Sequence, residues 1–317
     1  MDSHKSSSSL TPDLKIYIAG HRGLVGSAIW RNLEAKGHTG LVGWGSAELD
    51  LRDSALTMDA IVQEKPDVVI MAAAKVGGII ANSTHPVEFL NENIRIQTNV
   101  FEAAHAAEVP QLLFLGSSCI YPKFAEQPIK ESSLLTGQLE ESNNAYAIAK
   151  IAGVLQVQSY RKQYGHVWIS AMPTNLYGPF DNFDLTSSHV LPALIRKFHE
   201  AKVAGSRSVT LWGSGTPLRE FLHTDDLASA CTFLLENYDD DAPINVGWGR
   251  DISIADLAVL IAQVVGFDGE IQWDSSKPDG TPRKLLDTGM INSLGWKPAI
   301  SLRDGIASTY QWYQANL

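Results

Sequence analysis

The chain has 317 residues, 44% of them hydrophobic and 19% charged, with a formal net charge of −10. That balance suits a packed core in one large domain or two linked ones. The negative charge excludes the broad cationic surface that a nucleic acid partner needs.

Two cysteines, Cys119 and Cys231, make no disulfide framework and no metal cluster, and they suit a reducing, cytoplasmic setting. The start, Met1-Asp2-Ser3-His4-Lys5 and four serines, lacks the apolar stretch of a signal peptide, and residues 1–12 read as a disordered tail. The longest apolar run, Val68 to Ala81, is broken by Lys75, Gly77 and Gly78. It is too short to span a membrane, so no membrane partner is expected.

In chain order, Lys15-Ile16-Tyr17-Ile18-Ala19 predicts a strand and Ser27 to Lys36 a helix, joined by Gly20-His21-Arg22-Gly23-Leu24-Val25-Gly26. Glycines at this spacing allow a tight turn, let backbone amides approach a pyrophosphate and bring the helix dipole to it. The next strand, Gly40-Leu41-Val42-Gly43, is not followed at once by the acid that an NAD site offers to the ribose; Glu48 and Asp50 come later. Arg22 inside the turn can meet a 2′-phosphate, which favours NADP(H). Asp50 or Asp53 also reads as the N-cap of the following helix.

Pro66 to Ala74 predicts a buried strand entering the loop Lys75-Val76-Gly77-Gly78, and Pro86 to Glu108 predicts a long helix. Gln111 to Leu115 is the next strand and delivers Gly116-Ser117-Ser118-Cys119. Tyr146 and Lys150 follow at a four-residue spacing, which puts both on one helix face. A nearby ammonium is expected to lower the phenol's pKa, making Tyr146 a proton donor or acceptor beside the Ser117 hydroxyl. This alternation predicts an α/β fold: a Rossmann-type doubly wound parallel sheet with ligands at the carboxyl ends of its strands.

Trp168 to Met172 is another strand, and Pro173-Thr174-Asn175-Leu176-Tyr177-Gly178-Pro179 then leaves the sheet. His189 opens a helical stretch through Lys197 and Glu200; Val209 to Trp212 and Ile244 to Gly247 read as strands. Glu220 to Ala228 reads as a strand end followed by a capped helix. The expected division is a dinucleotide lobe of residues 13–173 and 220–249, and a smaller, discontinuous C-terminal substrate lobe of residues 174–219 and 250–317. The cleft between them is the expected site.

The glycine turn, the Ser117 strand, Tyr146 with Lys150, Asn175-Leu176-Tyr177-Gly178-Pro179 and Arg219-Glu220-Phe221-Leu222-His223 together resemble the extended short-chain dehydrogenases/reductases that act on nucleotide sugars. Within that superfamily the chain most resembles the GDP-L-fucose synthase family of epimerase/reductases, through Ala72 to Gly78, Leu115 to Pro122, Tyr146 to Gly153, Trp212 to His223 and Ser276 to Leu286. The resemblance implies inversion of GDP-4-keto-6-deoxy-D-mannose at C3 and C5, followed by reduction of its C4 ketone by NADPH. It implies Cys119 and His189 as the inverting pair, with Cys119 the base, and Ser117, Tyr146 and Lys150 as the reducing group.

For the cofactor it implies Gly20 to Gly26, Ser46, Asp50, Leu51, Leu115, Gly116, Ser117, Ser118, Tyr146, Lys150, Pro173, Thr174, Asn175, Leu176 and His189. For the GDP part of the substrate it implies Lys197, Trp212, Arg219, Asp279 and Lys284, and for the assembly a homodimer paired through the Pro86–Glu108 and Tyr146–Gln163 helices. The chain departs from its relatives in three places: Ser46 where some carry Arg, Lys197 where many carry Arg, and Trp248 where a smaller residue is usual. An NAD-dependent 4-epimerase or 4,6-dehydratase is disfavoured, because Ser117-Ser118-Cys119 replaces the Thr-Asp-Glu of dehydratases. A non-enzymatic NADPH sensor is disfavoured because Tyr146 and Lys150 are both present.

Overall fold

The computed structural model describes residues 9–277 and 279–317. Strand β1 (Ile16–Ala19) leads through α1 (Leu24–Ala35) to β2 (Leu41–Val42), and α2 (Ser54–Glu64) leads to β3 (Val68–Met71). Next come α3 (Ile79–Thr84), α4 (Pro86–Ala106), β4 (Gln111–Leu115), α5 (Asn144–Tyr164) and β5 (Val167–Pro173). The later chain holds β6 (Asn175–Tyr177), α6 (Val190–Val203), β7 (Ser208–Trp212), β8 (Leu218–His223), α7 (Thr224–Asn237) and β9 (Ile244–Val246). It ends with β10 (Asp251–Ser253), α8 (Ile254–Val265), β11 (Glu270–Asp274), β12 (Arg283–Lys284), α9 (Gly289–Leu294) and α10 (Leu302–Ala315).

The main sheet is parallel, in the order β2-β1-β3-β4-β5-β9. Its strands are short apolar runs because both faces are covered by helices. Ile16, Ile18, Val68 and Ile70 point into one core with Ile29 of α1 and Leu227 of α7. Tyr17, Val69 and Met71 point into the other with Ile61, Phe101 and Val154 of α2, α4 and α5. From β1 the chain moves to β2 on one side and then crosses back past β1 to β3 on the other, so a crevice opens at the carboxyl ends of β1 and β3.

A third core belongs to the second lobe, where α6, α8 and α10 bring Phe198, Ile261, Ile306 and Tyr310 together beneath Leu211 of β7. Here β8 pairs with β6, β10 and β12, and β7 pairs with β11. Serines at the starts of α8 and α10 satisfy free amides: Ser253 accepts from Asp256 N at 3.0 Å and Ser301 from Asp304 N at 3.2 Å. Asp53 does the same for α2, accepting from Leu56 N at 3.0 Å, which settles the alternative between Asp50 and Asp53.

The expected tail needs correction. Residues 1–8 lie outside the described residues, but residues 9–12 are docked: Leu10 is buried in the first core, its amide donates to Glu236 at 3.2 Å, and the Pro12 carbonyl accepts from Thr39 N at 3.0 Å. One apolar side chain among serines is enough to hold that segment. The expected substrate lobe also returns to the main sheet, since Leu286, Ile291 and Trp296 pack into its two cores. Trp248 belongs to this return: its indole donates to the Ile300 carbonyl at 3.1 Å, and Arg250 lies 4.9 Å from its ring centre.

Glu220 of β8 ties these pieces together. It is fully buried and accepts from Gly249 N at 2.6 Å and Leu286 N at 3.1 Å, while its own carbonyl accepts from the Asn175 amide at 2.8 Å. Glu220→Ala would leave two buried amides unsatisfied, each worth on the order of 1–3 kcal/mol. The variant is expected to lose about 3 kcal/mol of unfolding free energy in a urea titration; a midpoint equal to wild type would show that the carboxylate ties nothing.

Candidate active site

The glycine turn sits at the crevice. Gly20 has φ +83, in the left-handed region, and a Cβ there would lie 2.9 Å from the Ala73 backbone at the end of β3. Gly26 packs so closely under the turn that a Cβ would strike the Gly20 carbonyl. The N-cap of α1 is Gly23, with no side-chain cap, so the first amides of the helix point outward unclaimed by a side chain. His21 Nδ1 is buried without a partner among the described residues. These features fit a pyrophosphate held on backbone amides.

Arg22 lies beside this turn, exposed and paired with Glu48 at 3.3 Å. An exposed pair of this kind is weak, so the guanidinium can exchange Glu48 for a phosphate. Ser46 is exposed close by. Asp50 is otherwise engaged: Arg52 holds its carboxylate at 2.7 Å and, with the Arg52 amide, pulls its pKa down to about 2. The Leu51 carbonyl accepts from Asn99 at 2.8 Å.

The carboxyl end of β4 and the start of α5 build the floor of the cleft. Leu115 closes β4, Gly116 donates to the Ala171 carbonyl at 2.9 Å, and Ser118 is buried in a short 3-10 turn, Ser118–Ile120. Ser117 caps that turn, accepting from Cys119 N at 3.2 Å. Cys119, half-buried, faces two nitrogens: Asn143 Nδ2 at 3.3 Å and Lys284 Nζ at 3.4 Å. Burial pushes its thiol up, but the Lys284 charge and hydrogen bonds from Ser117, Lys284 and Asn143 leave it below its ordinary value.

Tyr146 stands over the same point. Burial raises its phenol, the neighbouring Cys119 charge raises it further, and a hydrogen bond with Ser117 opposes both. The expected lowering by Lys150 is not what this arrangement produces. Lys150 is buried, donates to the Leu115 carbonyl at 2.8 Å, and lies 5.9 Å from the centre of the Tyr146 ring. Burial brings its own pKa down to about 7, so at neutral pH part of the charge that would stabilise a phenolate is lost.

At the carboxyl end of β5, Pro173 ends the strand, and Thr174 N donates to the Val246 carbonyl at 3.0 Å. Asn175 and Leu176 continue into β6 toward the second lobe. His189 comes from that lobe as the N-cap of α6. Its side chain is exposed and has no hydrogen-bond partner among the described residues, and the protein beside it draws its pKa below the usual value by desolvation. The loop before it is docked on the first lobe, because Gly78 N donates to the Ser187 carbonyl at 3.0 Å and a Cβ at Gly78 would lie 2.8 Å from the Ser188 carbonyl. His189 and Cys119 therefore come from opposite lobes.

The far end of the cleft is aromatic and cationic. Trp212 is 58% exposed, with Lys197 Nζ 5.6 Å and Lys277 Nζ 5.7 Å from its ring. Arg219, on β8, pairs in register with Lys284, and its pKa is lowered by burial and raised by Glu140 and Asp279. Asp279 is fixed by Ser214, accepting from its amide at 2.9 Å and its hydroxyl at 2.7 Å. Sequence reasoning missed Asn143 and Lys277. Asn143 lies three residues before Tyr146, one helical turn away, and that spacing was the available signal.

A parallel doubly wound sheet, an uncapped glycine turn at its switch point, and a Ser/Tyr/Lys group at the end of its fourth strand define a dinucleotide-dependent enzyme class acting on a ligand held by a second lobe. Residues 16–247 match the model of the NAD dependent epimerase/dehydratase family. The chain belongs to this family. It is 59% identical over 303 residues to "GDP-L-fucose synthase 1" of Arabidopsis thaliana, covering 96% of this chain and 94% of that protein. It is 53% identical over 311 residues to "GDP-L-fucose synthase" of Escherichia coli (strain K12), covering 95% of this chain and 97% of that protein. Among solved structures, a GDP-L-fucose synthetase from Naegleria fowleri bound to NADP matches with a TM-score of 0.91 at 31% identity, covering 98% of this chain and 95% of that one.

Asp181, in the loop before His189, has one carboxylate oxygen buried without a partner, and burial raises its pKa to about 7. Unfolded, the same carboxyl releases its proton near pH 4 (reference about 3.9). Between these values the folded state binds more protons, so stability falls as pH rises through the window. Asp181→Asn is expected to remove that slope: urea titrations at pH 4 and pH 8 should show a gain over wild type that grows by on the order of 4 kcal/mol. A gain independent of pH would contradict the assignment.

Proposed function

We propose that the protein converts GDP-4-keto-6-deoxy-D-mannose to GDP-L-fucose, inverting C3 and C5 and then reducing the C4 ketone with NADPH. The observation that carries this reading is the meeting of a thiol and a phenol at one point. Ser117 bonds to both Cys119 and Tyr146, and the Cys119 sulfur is close enough to raise the Tyr146 phenol. Relatives spanning nearly the whole chain and named for this synthase support it.

NADPH, when bound, supplies the hydride. Gly20 to Gly26 would hold its pyrophosphate, Arg22 and Ser46 its 2′-phosphate, and Leu115 to Ser118, Pro173 to Leu176, Tyr146, Lys150 and His189 the nicotinamide half. Asp50 and Leu51 would contribute as wall rather than as ligands, since Arg52 and Asn99 engage them. Trp212 offers a flat face to the guanine, with Asp279 nearby, and Lys197 and Arg219 offer charge to the diphosphate, whereas the Lys284 ammonium meets the Cys119 sulfur instead.

A C–H bond beside a ketone is acidic because its electron pair can move to the ketone oxygen. Cys119 takes that proton and His189 returns one on the opposite ring face. Tyr146, which burial keeps protonated at neutral pH, donates a hydrogen bond to the same oxygen. It releases its proton there when the ketone is reduced, with Ser117 and Lys150 holding the group in place.

The protein is further read as a cytoplasmic homodimer. Its two cysteines are free thiols, which suits a reducing compartment. Val87 of α4 and Ile148 and Leu155 of α5 are exposed apolar side chains on adjacent helices that a second copy would cover. Among the described residues, no helix is long and apolar enough to cross a membrane.

Purified protein given the keto-sugar nucleotide and NADPH is expected to oxidise NADPH and release GDP-L-fucose. No NADPH oxidation with competent substrate would end the reading. Cys119→Ser should lower turnover about 100-fold or more while the NADPH Kd stays within about twofold; matched losses in both would remove Cys119 from the base role.

A further inference from the structure

We propose that Lys284 is the positioning residue of the Cys119 base: its ammonium, delivered by β12 from the second lobe, holds Cys119 as a thiolate, so that the base is complete only when the lobes are in register. This deepens the reading of Cys119 as the base and rests on it.

The sulfur receives two N–H donors, Lys284 Nζ at 3.4 Å and Asn143 Nδ2 at 3.3 Å. A neutral thiol is a weak acceptor, so two converging donors fit an anionic sulfur. Among the described residues, Lys284 is paired with no carboxylate, whereas Arg283 beside it is engaged by Asp251. The other groups facing the sulfur are Ser117 from its own turn and Tyr146 from α5, and Tyr146 is held neutral by burial.

The second cysteine provides an internal comparison. Cys231 is wholly buried on α7 with no cation beside it among the described residues, and burial pushes its thiol up to about 12. Cys119 is half-buried, and although burial pushes its thiol up, the thiol lies below the ordinary value. The Lys284 charge and the donors around the sulfur account for the difference in direction.

Lys284 is held where it is by both lobes. It pairs with Arg219 in register, and the next two residues are anchored: Leu285 N donates to Gln127 at 2.8 Å and Leu286 N to Glu220 at 3.1 Å. In the reaction the C–H bond beside the ketone breaks, an S–H bond forms on Cys119, and the electron pair moves to the ketone oxygen.

The test is the pH dependence of iodoacetamide alkylation of Cys119 in the full chain, with the modified residue located by mass spectrometry. Cys231, buried and protonated, should stay unmodified. Wild type is expected to titrate below the ordinary thiol value of about 8.5. Lys284→Met should titrate at or above it, with at least a tenfold lower rate at pH 7, and Lys284→Arg should restore the low midpoint. Unchanged NADPH affinity and circular dichroism in Lys284→Met verify its fold; Lys284→Gln serves if the Met variant is insoluble. A midpoint shared by wild type and Lys284→Met or Lys284→Gln overturns the proposal. Because alkylation needs no sugar nucleotide, failure of the proposed reaction would show in the turnover assay and leave this readout separate.

Discussion

A buried carboxylate sets the geometry on which the rest of the molecule depends. Glu220 has no solvent exposure and makes up for lost hydration with backbone amides at Gly249 and Leu286, one after β9 of the main sheet and one after β12 of the second lobe. Burial raises its pKa, and these amides oppose that rise. Such a group tolerates little displacement, because each lost amide leaves charge unsatisfied in a low dielectric. β8 thereby fixes β12, and β12 fixes Lys284 beside Cys119. The two lobes are joined at the place where the chemistry is assembled.

Within the cleft, similar enclosure tunes neighbouring groups in different directions. Cys119 has a cation and hydrogen-bond donors, and its thiol falls. Tyr146 has one hydroxyl partner and a negative neighbour, and its phenol rises. Lys150 donates to a carbonyl and has no carboxylate partner among the described residues, and its ammonium falls to about 7. In the proposed reaction, Cys119 takes a proton beside Tyr146, which keeps its own until the shared oxygen gains charge. Separated roles of this kind follow from environment rather than residue type.

Much of the first lobe was legible because its signals are local. The runs Ile16–Ala19 and Val68–Met71 and residues 112–115 are apolar throughout, and only a strand covered on both faces accommodates that. The glycine turn announces itself because Gly20 and Gly26 stand where a Cβ has no room. The floor residues Ser117, Cys119, Tyr146 and Lys150 were also readable, through helical spacing and family resemblance. What escaped were meetings between distant segments. Nothing near Lys284 in sequence points to Cys119, 165 residues away, because their contact depends on β12 joining β8. Strands β10 and β12 are short and polar and carry no period to detect. Leu10 escaped because one docked apolar residue in a serine-rich segment carries no periodic signal. The expected effect of Lys150 on Tyr146 failed for a related reason: spacing places two side chains on one face but does not say which atom the ammonium meets.

The central claim is that one cleft inverts carbon centres through Cys119 and reduces the adjoining ketone through Tyr146. Its most direct test is the mass and NMR spectrum of the product formed in D2O with unlabelled keto-sugar nucleotide and NADPH. Inversion through an acidic C–H bond exchanges the proton with solvent, so GDP-L-fucose carrying deuterium at both C3 and C5 is the predicted result. A reduced product formed without deuterium at either carbon would contradict the account.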